Sequence, residues 1–254
     1  GKPDLAVTNG ESNTVSVLLN GGDGTFGMKA DFATGNGPMS IAADDFNGDG
    51  KLDFVVANTQ SHTASVLLGN GDGTFSAKVD YPTGVGPFFV TAADVNGDGK
   101  IDVAVANFSN SSASVFLNNG DGTFAPKIDY PIDGQPRAIF AVDLNFDGKP
   151  DLVTSNMTVT VSVRLNNGDG TFAPKVDYAS GDPVDDTPMA MTVTDMNHDD
   201  KPDVVVASRM SGLALSLVVA ASLLGETRSY QDAHASSQGQ GKPLLVLVGA
   251  DWCP

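Results

Sequence analysis

Four nine-residue stretches carry oxygen-bearing side chains at alternate positions: DFNGDGKLD at 45–53, DVNGDGKID at 94–102, DLNFDGKPD at 143–151 and DMNHDDKPD at 195–203. In the first, positions one, three, five and nine are Asp45, Asn47, Asp49 and Asp53, while Lys51 at position seven offers a backbone carbonyl. The equivalent sets are Asp94, Asn96, Asp98, Lys100 and Asp102; Asp143, Asn145, Asp147, Lys149 and Asp151; and Asp195, Asn197, Asp199, Lys201 and Asp203. Oxygens spaced in this way can wrap a hard cation that takes roughly six to eight of them, which points to calcium. Magnesium prefers a small octahedral site and keeps its waters, and zinc favours nitrogen or sulfur ligands that these loops lack. Glycine at position six, such as Gly50, permits the sharp turn the loop needs. The fourth loop departs from this pattern, with Asp200 at position six and His198 at position four, so it is expected to hold its ion least firmly.

An EF-hand would also need a bidentate glutamate at position twelve, where this chain has Val56, Val105, Thr154 and Val206. The flanking helices of an EF-hand are therefore not expected. What remains is a calcium loop closed at position nine by an aspartate that opens an apolar strand, one ion to each of the four loops.

The elements around these loops repeat with them. The closing aspartates fall at Asp4, Asp53, Asp102, Asp151 and Asp203, in steps of 49, 49, 49 and 52 residues. A second marker keeps the same beat: GGDGTF at 21–26 and NGDGTF at 70–75, 119–124 and 167–172. Between the markers, Val15, Val17 and Leu19 correspond to Ala64, Val66 and Leu68, to Ala113, Val115 and Leu117, and to Val161, Val163 and Leu165. Serines 16, 65, 114 and 162 mark the opposite face, and a period of two is the signature of a strand. Each unit reads as four strands: one before the acidic loop (39–45), one after it (52–58), a third (63–69), and a fourth (75–81) after the Asn-Gly and Asp-Gly turn. The DGTF copies lack a following carboxylate and are read as hairpin turns, not as second metal sites. A four-stranded antiparallel sheet every 49 residues or so predicts an all-β chain, a partial or open β-propeller.

Charge and composition narrow the partners. Fourteen basic against thirty-one acidic residues give a formal charge of −17, which argues against nucleic acid or an anionic membrane surface as a partner and favours a cation. Cys253 is the only cysteine, so no internal disulfide can form. The histidines, His62, His198 and His234, have no spacing that suggests catalysis.

Taken together, D-x-N-x-D-G-x-x-D, NGDGTF and strands such as VSVLLN resemble the FG-GAP and VCBS-type repeats, similar to the β-propeller of integrin α subunits, over about residues 1–208. The resemblance implies a propeller with calcium in hairpin loops on one side and ligand contacts on loops of the other. It also implies a secreted or cell-surface adhesion module with an extracellular protein or carbohydrate ligand and no catalysis. The expected organisation is a partial blade at 1–33, blades at 37–82, 86–131 and 135–179, and a partial blade at 187–208. The opening GKPD matches 148–151, so the text begins in mid-repeat.

After Ser208 the beat stops. Leu213–Leu224 is an apolar run too short to span a membrane as a helix, so no stable membrane span is expected. It suits the core of a signal peptide, or else strands of the last blade. With the polar stretch that follows, 209–241 reads as a signal-like run and linker. GKPLLVLVGADWCP at 241–254 resembles the start of a secreted thioredoxin-like protein, in which Cys253 would be the redox nucleophile. A thiol-disulfide oxidoreductase fragment at 242–254 is therefore the alternative function.

Overall fold

The computed structural model describes residues 2–180, 186–210 and 215–220, and these form strands with no helix among them. Five antiparallel sheets follow one another along the chain. The first contains β1 (Leu5–Asn9), β2 (Thr14–Leu18) and β3 (Ala30–Ala33). The second contains β4 (Pro38–Asp44), β5 (Asp53–Asn58), β6 (Thr63–Leu67) and β7 (Val79–Pro82). The third has β8 (Pro87–Ala93), β9 (Asp102–Asn107), β10 (Ser112–Phe116) and β11 (Ile128–Pro131), and the fourth β12 (Pro136–Val142), β13 (Asp151–Asn156), β14 (Thr160–Arg164) and β15 (Val176–Ala179). The fifth contains β16 (Asp186–Thr194), β17 (Asp203–Met210) and β18 (Leu215–Ala220).

Each sheet is a meander in sequence order, and the leading strands β4, β8, β12 and β16 lie beside one another in succession. This is the radial arrangement of propeller blades, in an open β-propeller. Residues 215–220 of the apolar run pair with β17 as the third strand of the fifth sheet. The rest of that run, the polar linker and the 242–254 segment with Cys253 lie outside the described residues.

The middle strands are buried on both faces, which explains why all six residues of β5, β9 and β13 are inaccessible. Phe54 and Val56 pack toward the first sheet, against Val15 and Val17. Val55 and Ala57 pack toward the third, against Val103, Val105 and Phe116. The same alternation builds the next two interfaces, so the core is four slabs, each between consecutive sheets.

The serine face proves to be as dry as the apolar one. Ser65, Ser114 and Ser162 are at most 1 % exposed. The Asn107 amide donates to Ser114 Oγ (2.8 Å), which donates to Asp129 Oδ1 (2.6 Å), and Lys127 Nζ sits on that carboxylate. Asn58, Ser65, Asp80 and Lys78 repeat the relay, as do Asn156, Ser162, Asp177 and Lys175. Three strands are thus stitched together by one polar line through the sheet. Replacing Ser114 by alanine leaves the Asn107 and Asp129 groups short of a partner and is expected to cost about 1–3 kcal/mol, read by urea unfolding.

The fourth strand is shorter than its alternation predicts. Phe75 makes an isolated bridge to Gly69, and pairing with β6 resumes only at Val79. In the third and fourth sheets the intervening residues include Pro126 and Pro174, which cannot donate to a ladder. These outer strands are largely exposed and carry the Lys and Asp pairs, which suits an edge that must not recruit another strand.

Candidate metal centre

The four acidic loops join the first and second strands of their sheets, all at the same end of the propeller. Their conformation is built by the loop's own oxygens. In the 45–53 loop, Asp45 Oδ1 accepts from the N–H groups of Gly48 (2.8 Å) and Asp49 (3.1 Å), and Oδ2 accepts from Gly50 (2.7 Å). Asn47 Oδ1 accepts from Asp49 N and Asp49 Oδ1 from Lys51 N, each at 3.0 Å. The 94–102 loop reproduces these bonds atom for atom. The 143–151 and 195–203 loops keep the bonds to positions five, six and seven.

The coil requires a left-handed backbone at positions four and six. Glycine supplies both in the first loops, at φ 73° and 79° for Gly48 and Gly50. Phe146 (64°), His198 (61°) and Asp200 (64°) adopt the same conformation with a Cβ present. That costs each of them roughly 1–2 kcal/mol relative to glycine. The 143–151 loop thus carries at Phe146 the same position-four strain that His198 carries in the fourth loop.

Position nine behaves differently from the rest. Asp53 is fully buried, with Oδ2 accepting from Phe46 N (2.9 Å) and Oδ1 from Gly69 N (2.7 Å). Asp102 does the same with Val95 N (3.0 Å) and Asn118 N (2.7 Å), and Asp151 with Leu144 N (3.1 Å) and Asn166 N (2.8 Å). Asp203 accepts from Met196 N (2.9 Å). In the second, third and fourth sheets the closing aspartate thus ties the start of its loop to the residue that leads into the NGDGTF turn of the same sheet. No feature of the sequence distinguishes this from a ligand role, since both require an aspartate.

The electrostatics separate the positions further. Burial pushes the Asp53 carboxyl above the ordinary carboxylate range; the N–H groups of Gly69 and Phe46 oppose this, and the charges of Asp49 and Asp45 add to it. Asp102 and Asp151 are raised for the same reasons. Asp49 is held below that range, first by its hydrogen bond from Lys51, whose Nζ lies 3.0 Å away. The corresponding lysines sit 3.5, 3.6 and 3.9 Å from Asp98, Asp147 and Asp199.

Among the described residues, no three Asp, Glu, His or Cys side chains converge on one metal-binding point. The donor chemistry nonetheless fits a hard cation. Every side-chain donor at positions one, three, five and nine is oxygen. Two of the roughly four acceptor sites on each of Asp53, Asp102 and Asp151 are taken, and like charges from the same loop bear on all three.

The NGDGTF segments are turns whose aspartate is satisfied internally. Asp72 Oδ1 accepts from Thr74 N (2.9 Å) and Oγ1 (2.6 Å), and Asp121 and Asp169 repeat the arrangement. His62 Nδ1 accepts from Gly86 N (3.1 Å), a structural bond, and His234 lies outside the described residues.

The chain matches the FG-GAP-like repeat family in four overlapping stretches, 1–56, 45–105, 94–154 and 143–206. No curated protein matches it. Solved structures of similar fold include an Agrocybe aegerita lectin described as recognising non-reducing terminal N-acetylglucosamine, with a TM-score of 0.53 and 22 % identity, over 79 % of this chain and 60 % of the lectin. BBS1N in complex with ARL6DN gives a TM-score of 0.55 and 14 % identity, over 85 % of this chain and 60 % of that one. A protein from Lactobacillus plantarum gives 0.55 and 13 %, over 84 % and 64 %. At such identities the likeness is one of fold, and the chain spans less than two thirds of the length of each. No helix among the described residues is long and apolar enough to cross a membrane.

Proposed function

The chain belongs to the FG-GAP-like repeat family, and from that premise we propose a non-catalytic, calcium-binding β-propeller module that recognises an extracellular protein or carbohydrate. The observation that carries the calcium reading is the repeated coil of oxygen donors drawn against a buried, like-charged aspartate. Asp45, Asn47, Asp49, the Lys51 carbonyl and Asp53 would hold one ion, and the equivalent residues of the other loops one each. The ion would supply positive charge among the three carboxylates of each loop. Four such ions would lower the formal charge from −17 to −9. Outside the cell, where calcium is abundant, even sites of modest affinity fill.

Recognition falls to the end of the propeller opposite the acidic loops. A cleft of about 480 Å³ there, between the first two sheets, is lined by Glu11, Asn13, Met39, Thr59 and Gln60 among others. Polar side chains around one exposed thioether suit a hydroxyl-rich ligand. The N-acetylglucosamine recognition described for the lectin makes carbohydrate the first class to screen.

Two measurements test this. Equilibrium dialysis of metal-stripped protein should retain about four calcium ions per chain, released by EDTA; retention at background level would reject the calcium reading. A glycan array should show binding that is lost in Glu11→Ala and Gln60→Ala, and an array unaffected by either substitution would move the ligand away from this cleft.

A further inference from the structure

Position two of the acidic loop is held from outside its own sheet. Phe46 N donates to Asp53 within the sheet, but Phe46 O accepts from Asn118 Nδ2 (2.9 Å) and Gly122 N (3.1 Å), both in the NGDGTF region of the next sheet. The Phe46 ring is 1 % exposed and meets the ring of Phe124 edge-on at 5.8 Å, again in the next sheet. Asn118 itself is 4 % exposed and fully committed. Its second amide bond goes to Ile101 O (2.8 Å), its N–H to Asp102 Oδ1 (2.7 Å), and its Oδ1 accepts from Gly120 N (2.7 Å).

The arrangement recurs one sheet further on. Asn166 donates to Val95 O (2.9 Å) and Pro150 O (2.8 Å), its N–H goes to Asp151, and its Oδ1 accepts from Gly168 N (2.7 Å). One asparagine therefore joins three parts: the acidic loop of the preceding sheet, the closing aspartate of its own sheet, and its own hairpin turn. In the second sheet the same place is taken by Gly69, which has no side chain to reach across.

We infer that Asn118 and Asn166 are positioning residues for the cation loops at 45–53 and 94–102, so that ion binding in one sheet is coupled to the seating of the next. The inference rests on the calcium reading above. The position-two peptide lies between the donors at positions one and three of its loop, and holding its carbonyl restrains both. Coupling is reciprocal: if the asparagine favours the binding conformation of the loop, a bound ion favours the docking of the sheet that supplies the asparagine.

The test is calorimetric titration of the full chain with calcium chloride, together with melting curves in EDTA. Asn118→Ala is expected to weaken one site about 10-fold while the number of ions stays the same, as is typical when a residue supporting a metal ligand is lost. In an Asp45→Asn background, where the 45–53 loop is already disabled, the same substitution is expected to leave the remaining sites unchanged. Asn118→Gly, which copies the residue found at Gly69, serves if the alanine variant fails to fold. An unaltered isotherm in Asn118→Ala or Asn118→Gly, with the parent chain binding normally, overturns this inference alone. So does equal weakening in the Asp45→Asn background. A parent chain that takes up no calcium overturns both this inference and the proposed function.

Discussion

Calcium added to metal-stripped protein is expected to raise its melting temperature by about 5–10 °C for each loop filled at a hundredfold excess over Kd. A ligand that binds only the folded state stabilises by RT ln(1 + [L]/Kd), about 2.7 kcal/mol at that excess. For a chain of this size each kcal/mol moves the midpoint by roughly 2–4 °C. The gain has a structural source in Asp53, Asp102 and Asp151, which are buried as carboxylates and lie under the field of their own loops. A cation lifts that repulsion and the unfolded chain has no such site. Magnesium at the same concentration should shift the midpoint less, because it surrenders its waters reluctantly. The 195–203 loop should fill last, since His198 and Asp200 hold left-handed conformations that glycine would adopt freely. Scanning calorimetry in calcium and in EDTA decides the matter, and superimposed melts would reject the calcium reading.

The second large effect separates two kinds of aspartate within one loop. Asp102→Ala removes the acceptor of two backbone N–H groups, those of Val95 and Asn118. Each buried donor left without a partner costs about 1–3 kcal/mol. Relief of the burial penalty on the carboxylate returns part of this, so the net loss is expected at about 2–4 kcal/mol by urea unfolding, in EDTA as well as in calcium. Asp98→Ala, one turn earlier, removes a side chain that is more exposed and accepts from Lys100 N. It should change stability in EDTA by no more than about 0.5–1 kcal/mol and yet abolish the calcium gain of its loop. Equal behaviour of the two variants in EDTA would mean that position nine does not carry the structural role its hydrogen bonds describe.

Much of this architecture is legible in the sequence because two markers keep one period, and because alternation in segments such as Thr63–Leu67 leaves strand as the only consistent reading. The acidic loop is legible as an oxygen coil for the same reason: every second residue carries the required atom. Three features are not. The closing aspartate could be ligand, tie or both, and only the placement of Val95 N and Asn118 N around Asp102 reveals the tie. The reach of Asn118 to Phe46 O crosses 72 residues, a distance over which no local pattern speaks. Ser65 and Ser114 read as a polar face, but the preceding sheet covers that face, so their hydroxyls become interior links. The shortened outer strand was obscured because alternation continues through Phe75–Tyr81 although the ladder does not.

The polar line through each sheet also bears on how the protein can be made. Asn107 and Asn156 each begin an Asn-X-Ser/Thr triplet, and both side chains are wholly inaccessible, their amides bonded to serine and threonine oxygens of the adjoining strand. A sugar chain attached at either one during passage through a eukaryotic secretory pathway would have to be housed where β10 or β14 lies, and that sheet could not close. Asn110, at the exposed turn, begins the triplet whose decoration a finished blade tolerates. Product from such a host that carries sugar at Asn107 or Asn156 is accordingly expected to be the fraction that failed to fold.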